Sequence, residues 1–195
     1  LAAQTTTTVA TNASVPAAAL EDIHNLDISA DGRFIVFVAA SNYLTTVTTS
    51  IRLWDSELAS ATLVSGDTNS LAPAGFLCDS PALNESGRYV VFISNADLTG
   101  ATGSGAYHVY LRDTQSGTTT LIDHAPTNSA VVGITPAATP TLSTDGHFVG
   151  FESGSPEISE RDRNRSIDVF LRDTQSYSIE LISSTIPDLV SQTPN

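Results

Sequence analysis

Several residue types are rare or missing in this chain, and each absence excludes a class of protein. The 195 residues contain one cysteine and no lysine, so all eight basic side chains are arginine. A single cysteine excludes an intramolecular disulfide framework and a zinc site built from several cysteines. Because 21 acidic residues bring the formal net charge to −13, binding to nucleic-acid phosphates is disfavoured. No apolar run approaches the roughly 20 residues of a membrane-spanning helix.

The chain does contain an internal repeat, and its apolar content is high enough for a folded core. Hydrophobic residues make up 41% of the sequence, which excludes an intrinsically disordered protein. Three stretches share one pattern. Each begins with an apolar residue and continues with a short polar segment that ends in Asp-Gly or Ser-Gly. A run of strand-forming residues that ends in Phe follows. They are Ile28–Phe37, Leu83–Phe92 and Leu142–Phe151. Asp-Gly between apolar runs is typical of a tight β-hairpin.

A second block follows the first one in every repeat. It comprises Ile51–Asp55, Val109–Asp113 and Val169–Asp173, each followed by a turn and a short apolar segment. The six residues at 111–116 and 171–176 are identical. Val, Ile, Thr, Tyr and Phe dominate these runs, as is typical of β-strands. Two hairpins per repeat predict four antiparallel strands, which is the blade of a β-propeller.

We therefore predict an all-β chain of three four-stranded blades within a ring of about six to eight blades. The predicted blades span about residues 24–66, 79–124 and 139–184. The stretch 39–50, between the second and third strands of the first blade, is predicted to be a surface loop. Phe37, Phe92 and Phe151 are predicted to occupy equivalent core positions between neighbouring sheets.

The two ends of the chain bear on how the ring is completed. Residues 4–10 match the fourth strand of the repeat and are predicted to form an orphan outer strand, whereas residues 191–195 match the start of a further blade. Since three blades do not close a ring, either the native chain continues or two copies associate as a homodimer that completes it. The longer chain is favoured, because a dimer would leave the orphan strand and the incomplete blade without partners.

The repeats resemble the blades of TolB-type β-propellers, which carry WD40-like repeats. The motifs behind this resemblance are Leu142–Phe151 and Asp168–Thr174, and the likeness extends from about Leu26 to Ile182. The chain is most similar to bacterial secreted or envelope members, which implies a secreted or periplasmic location. The resemblance also implies a role as an interaction module or as a gating domain beside a protease.

The first repeat departs most from the shared pattern. Arg52 stands where the other repeats have Tyr110 and Phe170, and Trp54 stands where they have Arg112 and Arg172. We therefore expect the central hairpin of the first blade to pack differently from the other two.

One loop carries the residues of a candidate metal site. Asp162, Asn164 and Asp168 present alternating oxygen donors, which are the hard ligands that Ca²⁺ prefers. The loop also resembles the Asp-x-Asn…Asp loop that precedes the third strand in many related blades. Arginines between these residues weaken the negative electrostatic potential that would attract a cation. The alternative is therefore a solvent-exposed loop held by Asp–Arg ion pairs. Apart from this candidate structural calcium, no cofactor is predicted.

The remaining acidic residues favour structure over catalysis. Five aspartates recur at fixed repeat positions, as turn caps do, whereas a catalytic pair would be unique to one repeat; they are Asp31, Asp55, Asp113, Asp145 and Asp173. The recurring Arg112 and Arg172 are candidates to pair with these carboxylates. The sequence contains no Gly-x-Ser-x-Gly elbow and no phosphate-binding glycine loop.

These observations predict a non-catalytic β-propeller module that binds a protein partner or the rest of a longer chain. One alternative is a propeller that binds or processes carbohydrate. The other alternative is the gating propeller of a larger serine peptidase.

Overall fold

The computed structural model describes residues 25–43, 46–67, 76–101, 105–125, 128–133, 136–162 and 166–183. Within these ranges the chain forms fourteen β-strands and one 3-10 turn at Pro156–Ile158, and no α-helix. The strands are β1 (Leu26–Ile28), β2 (Phe34–Tyr43), β3 (Thr46–Asp55), β4 (Ser60–Leu63), β5 (Cys78–Leu83), β6 (Tyr89–Ser94), β7 (His108–Asp113), β8 (Thr118–Leu121), β9 (His124–Ala125), β10 (Asn128–Val132), β11 (Ala137–Leu142), β12 (Phe148–Ser153), β13 (Asp168–Asp173) and β14 (Ile179–Leu181).

The strands form three four-stranded antiparallel sheets, each a simple meander in which every strand pairs with the one before it. Sheet 1 is β1–β4, sheet 2 is β5–β8, and sheet 3 is β11–β14; the ribbon of β9 and β10 lies between sheets 2 and 3 in the chain. This confirms the predicted all-β fold with three four-stranded blades. The size of the complete ring stays a prediction, and the predicted strand at 4–10 and the blade start at 191–195 lie outside the described residues.

The turn between the first two strands of each sheet is held by a side-chain network. In sheet 1, Ser29 Oγ donates to Asp31 Oδ1 at 2.6 Å and accepts from the Phe34 N–H at 2.9 Å. Asp31 Oδ1 also accepts from the Arg33 N–H at 2.9 Å. The same network recurs around Ser143 and Asp145 in sheet 3 and around Asn84 and Ser86 in sheet 2. The recurring aspartates therefore cap turns, as predicted.

Neighbouring sheets meet through a contact between an aromatic ring and a turn glycine, which we call the aromatic–glycine contact. The Phe34 ring of sheet 1 lies against Gly87 of sheet 2, where a Cβ would stand 2.5 Å from the ring. The Tyr89 ring of sheet 2 lies against Gly146 of sheet 3, where a Cβ would stand 2.4 Å away. A side chain cannot approach so closely, so only glycine admits the ring at these turns.

The apolar core forms two layers, one at each junction between sheets. The layer between sheets 1 and 2 includes Val36, Val38, Ile51, Leu53, Val90, Phe92, Tyr110 and Leu121. The layer between sheets 2 and 3 includes Val91, Ile93, Val109, Leu111, Val149, Phe151, Phe170 and Leu181. Phe92 and Phe151 are buried as predicted, but the prediction was wrong for Phe37, which is only half-buried. Phe37 lies on the face of sheet 1 that no described sheet covers.

Two local features differ from the sequence prediction. The predicted loop at 39–50 was wrong, because β2 and β3 run through it as ten-residue strands paired as far as Tyr43 and Thr46. The threonines and the valine of this segment suit a long hairpin, since β-branched residues favour strands. Irregular pairing in β5 and β11 was not predicted at all. There Ser80 and Thr139 adopt φ of 51° and 46° directly before a proline, and the strand register shifts at both places.

Ion pairs join the start of the second strand to the end of the third strand in two sheets. Arg33 Nη2 lies 2.9 Å from Asp55 Oδ2 in sheet 1, and Arg88 Nη2 lies 2.8 Å from Asp113 Oδ2 in sheet 2. The hydrogen bonds from Arg88 lower the pKa of Asp113 from its ordinary value to about 2, against the opposing effect of partial burial. The Asp113 carboxylate is therefore stabilised in its charged form by folding.

This pair predicts a contribution to acid stability with a defined sign. Because the folded-state pKa of Asp113 lies below its unfolded value, its stabilising effect is complete above about pH 4 and is lost as the pH falls towards 2. The Arg88 side chain is 44% exposed, so solvent screening limits the effect to about 1 kcal/mol. Urea unfolding at pH 6, 4 and 2.5 should show a steeper loss in the wild type than in Asp113→Asn. Parallel losses in the two proteins would contradict the prediction.

Candidate functional site

The predicted calcium loop is only partly described by the structure. Asp162 and Asp168 are 7% and 5% exposed and flank the end of the loop between β12 and β13. The Asp162 N–H donates to the Ser159 carbonyl at 3.0 Å, and Asp168 Oδ1 accepts from Ser183 Oγ. Asn164 lies outside the described residues. Within the described ranges no three His, Cys, Asp or Glu side chains converge on a point that could hold a metal ion. The calcium site therefore stays a prediction.

The calcium hypothesis has a direct thermal test. A bound ion stabilises the folded state by mass action, so Tm should be higher in millimolar Ca²⁺ than in chelator. Asp162→Ala should abolish that difference, whereas the same change at the exposed Glu160 of this loop should preserve it. Identical melting curves of the wild type with Ca²⁺ and with chelator would rule out the site.

A buried Asp–His pair, which the sequence analysis did not single out, lies between the start of β7 and the segment after β8. Asp123 is fully buried and His108 is 3% exposed, with 2.8 Å between Asp123 Oδ2 and His108 Nδ1. Asp123 Oδ1 also accepts from the Val109 N–H at 3.1 Å. An acid–base pair in catalysis must reach its substrate, and this pair has no solvent access. It ties the segment after β8 to β7 and is structural.

Arg112 and Arg172 do not pair with the recurring aspartates, so that prediction was wrong. Arg172 is 1% exposed and donates to three backbone carbonyls, of Ile122 at 2.8 Å, of Tyr177 at 2.6 Å and of His124. Burial lowers the pKa of Arg172 to about 10, which leaves it charged at neutral pH. Arg112 instead donates to Thr119 Oγ1 within its own sheet at 2.9 Å. Arg172 therefore fastens sheet 3 to the end of sheet 2.

An open cleft of about 370 Å³ lies where the first strands of the three sheets converge. Its lining includes Asp27 and Ile28 of sheet 1, Leu83 and Glu85 of sheet 2, and Thr144 of sheet 3. Asp27 Oδ2 accepts from the Leu83 N–H at 3.0 Å, which joins β1 to β5 and fixes one wall. The volume falls in the range of sites that bind small molecules or short peptide segments. Its acidic and apolar lining suits a neutral or cationic ligand.

Cys78 is not part of any reactive site. It is 2% exposed in the layer between sheets 1 and 2, and its Sγ lies 3.3 Å from Ser94 Oγ. Burial raises the pKa of the thiol, which keeps it protonated and unreactive at neutral pH. The structure gives this cysteine a packing role.

Comparison with known proteins places the fold but not a family. No family model and no curated protein matches the chain. Among solved structures, the β-propeller domain of the trilobed protease from Pyrococcus furiosus matches with a TM-score of 0.53 and 8% identity, over 81% of this chain and 40% of that one. Acylaminoacyl peptidase from Pyrococcus horikoshii matches with a TM-score of 0.50 and 8% identity, over 82% of this chain and 24% of that one. The tricorn protease matches with a TM-score of 0.47 and 12% identity, over 77% and 13%.

The likenesses to the trilobed protease domain and the acylaminoacyl peptidase, together with the three four-stranded sheets, define the chain as a set of β-propeller blades. The chain spans less than half the length of each of these structures. The narrower resemblance to TolB-type propellers stays a prediction. Within the described ranges, no helix has the length and apolarity needed to cross a bilayer.

Proposed function

We propose that this chain is the non-catalytic propeller part of a larger serine peptidase, in which it controls the access of peptides to the catalytic unit. The observation that carries the proposal is the cleft at the convergence of β1, β5 and β11, since a propeller axis is where a chain can pass. Two structures with the same fold, the trilobed protease and the acylaminoacyl peptidase, are peptidases by name, which supports this role. A secreted or periplasmic location is part of the proposal.

The chemistry of the described residues supports gating rather than hydrolysis. The Asp123–His108 pair is buried and binds backbone, so it offers no accessible base to a nucleophile. The cleft presents the carboxylates of Asp27 and Glu85 beside the apolar Ile28. With a formal net charge of −13, the chain attracts cationic peptides and repels acidic ones. The alternative function, a scaffold that binds a protein partner, is compatible with the same fold. That alternative assigns no function to the cleft.

The proposal is tested on the polypeptide that contains these 195 residues. A fluorophosphonate probe should label that polypeptide outside the propeller blades, and the 195-residue chain alone should not react. Thr144→Trp narrows the cleft at an exposed turn and should lower kcat/KM for a long peptide about tenfold, while a dipeptide-sized ester is hydrolysed as before. Ser56→Trp, on an exposed turn away from the cleft, is the matched control.

Two results would contradict the proposal. One is an absence of probe labelling in the larger polypeptide, or labelling within residues 1–195. The other is an equal change of kcat/KM for the long and the short substrate in Thr144→Trp, since a gate acts on size.

A further inference from the structure

Each end of the three-sheet stack presents a sheet face that the described residues leave uncovered. On sheet 1 the alternation of β1, β2 and β3 turns six side chains away from sheet 2, and we call them the sheet 1 outer face: Leu26, Ile28, Ile35, Phe37, Arg52 and Trp54. On sheet 3 a corresponding set turns away from sheet 2, and we call it the sheet 3 outer face: Phe148, Gly150, Glu152, Val169, Leu171 and Glu180.

Both outer faces carry exposed apolar side chains. Leu26 and Ile28 are 62% and 52% exposed on the sheet 1 outer face. Phe148 and Val169 are 41% and 42% exposed on the sheet 3 outer face. Their counterparts in the two existing junctions are buried or partly buried against the core, so each outer face resembles one half of such a junction.

Each outer face also carries one of the two partners of an aromatic–glycine contact, without the other. Phe148 is the third-sheet counterpart of Phe34 and Tyr89, whose rings lie against turn glycines of the following sheet. Gly32 is the counterpart of those glycines, and nothing lies within 4 Å of the position of its Cβ. The sheet 3 outer face thus offers the ring, and the sheet 1 outer face offers the glycine.

Each outer face has one charged residue where the existing junctions have an apolar one, and the two charges are opposite. Arg52 takes the register position of Tyr110 and Phe170, each paired with a phenylalanine of the preceding strand. Glu152 takes the position of Val38 and Ile93. In both junctions these two positions belong to the same buried cluster, as Val38 and Tyr110 do in the first and Ile93 and Phe170 do in the second.

Neither charge has an ionic partner among the described residues. No salt bridge or side-chain hydrogen bond joins Arg52 or Glu152 to any part of the chain that the structure describes. Exposed Glu180 adds a second carboxylate to the sheet 3 outer face, opposite Leu171. The faces are therefore complementary to each other in shape at the aromatic–glycine contact and in charge at Arg52 and Glu152.

We propose that two copies of this chain associate head to tail, so that the sheet 3 outer face of each copy covers the sheet 1 outer face of the other. Phe148 then lies against Gly32 of the partner subunit, and Glu152 pairs with Arg52 of the partner subunit. Two identical junctions related by a two-fold axis close a ring of six sheets, within the usual range of about 4–8 blades. This inference is independent of the proposed peptidase role.

The sequence analysis favoured a longer chain, but the two outer faces of this chain are complementary to each other. A second copy supplies the complement of both outer faces at once, with the Phe148 ring for Gly32 and Glu152 for Arg52. The Arg–Glu pair costs desolvation energy inside an apolar junction, so its role is to select this pairing over others rather than to stabilise it strongly.

Charge reversal tests the proposal with the 195-residue chain. Sedimentation velocity over a range of concentrations should show a dimer for the wild type. R52E alone and E152R alone place like charges together in both junctions, so each should weaken dimerisation at least about tenfold. An equimolar mixture of the two variants should recover the dimer, because one junction keeps the original pair and the other carries it with its charges exchanged.

Matched controls separate this effect from a change in overall charge. E160R and R161E make the same two reversals on an exposed loop away from both outer faces and should dimerise as the wild type does. Circular dichroism confirms that each variant is folded, and the mixture supplies a positive signal that misfolded variants could not give. A wild-type chain that stays monomeric, including one whose outer faces bind another polypeptide, overturns the proposal. So does an R52E chain that dimerises unchanged, or a mixture that stays monomeric.

Discussion

Replacement of Phe92 by alanine is expected to lower the free energy of unfolding by about 3–5 kcal/mol. Phe92 is fully buried in the layer between sheets 1 and 2 and stacks on Tyr110, with 6.0 Å between the ring centroids. Truncation removes the burial of the ring and leaves a cavity, because both sheets are held in place by their other contacts. Urea unfolding followed by circular dichroism measures the loss.

Leu58→Ala is the matched control for this prediction. Leu58 is also a large apolar residue, but it is 70% exposed in the β3–β4 turn, so its truncation should change stability by less than about 0.5 kcal/mol. The loss of stability in Phe92→Leu should fall between those of Phe92→Ala and Leu58→Ala, since leucine keeps part of the buried volume. A loss below about 1 kcal/mol in Phe92→Ala would mean that β6 is not enclosed between two sheets.

Replacement of Arg172 by methionine is expected to lower the free energy of unfolding by about 3 kcal/mol or more. Methionine fills much of the space of the arginine, but it leaves the buried carbonyls of Ile122 and His124 without their donor, together with the partly buried carbonyl of Tyr177. Because two of these carbonyls belong to the segment after β8, the loss should also loosen the junction of sheets 2 and 3. Hydrogen exchange at the amides of β8 and β13 should therefore become faster.

Arg112→Met tests whether the loss in free energy of unfolding depends on the position of the arginine in the repeat or on the hydrogen bonds that it makes. Arg112 has the same place in sheet 2, yet the structure gives it one side-chain hydrogen bond, to Thr119, and a loss of only about 1 kcal/mol is expected. Arg172→Lys keeps the charge but cannot reach three acceptors in the same geometry, and it should lie between wild type and Arg172→Met. Equal losses for Arg112→Met and Arg172→Met would show that the inter-sheet carbonyls do not matter.

The strands and tight turns could be predicted from the sequence because their causes are local. An Asp-Gly or Ser-Gly turn with a nearby Ser, Asp or Asn fixes a hairpin within about six residues, and three copies of it point to one repeated unit. The extent of β2 and β3 was missed, since a Thr-rich segment reads equally as a loop until its partner strand is known. The shifts in β5 and β11 had a signal in Ser80-Pro81 and Thr139-Pro140, because proline is tolerated only at strand edges and bulges.

Contacts between sheets were beyond the reach of sequence reasoning. Two of the three acceptors of Arg172, the carbonyls of Ile122 and His124, lie 50 and 48 residues away in the segment after β8, and nothing in the repeat pattern indicates them. The burial of Phe37 depends on what covers sheet 1, which its own strand cannot specify. Arg52 and Glu152 were each visible as departures from an apolar position, yet their relation emerges only when the two outer faces are set side by side.

The rate at which Cys78 is labelled can report how often sheets 1 and 2 separate. Cys78 is the single thiol of the chain and is enclosed between those sheets, so a disulfide reagent reacts only when that junction opens. At low reagent concentration the labelling rate gives the equilibrium population of the open form, and at high concentration it approaches the opening rate itself. Comparing labelling in dilute and concentrated samples then reveals whether covering the free face of sheet 1 slows the separation of sheets 1 and 2.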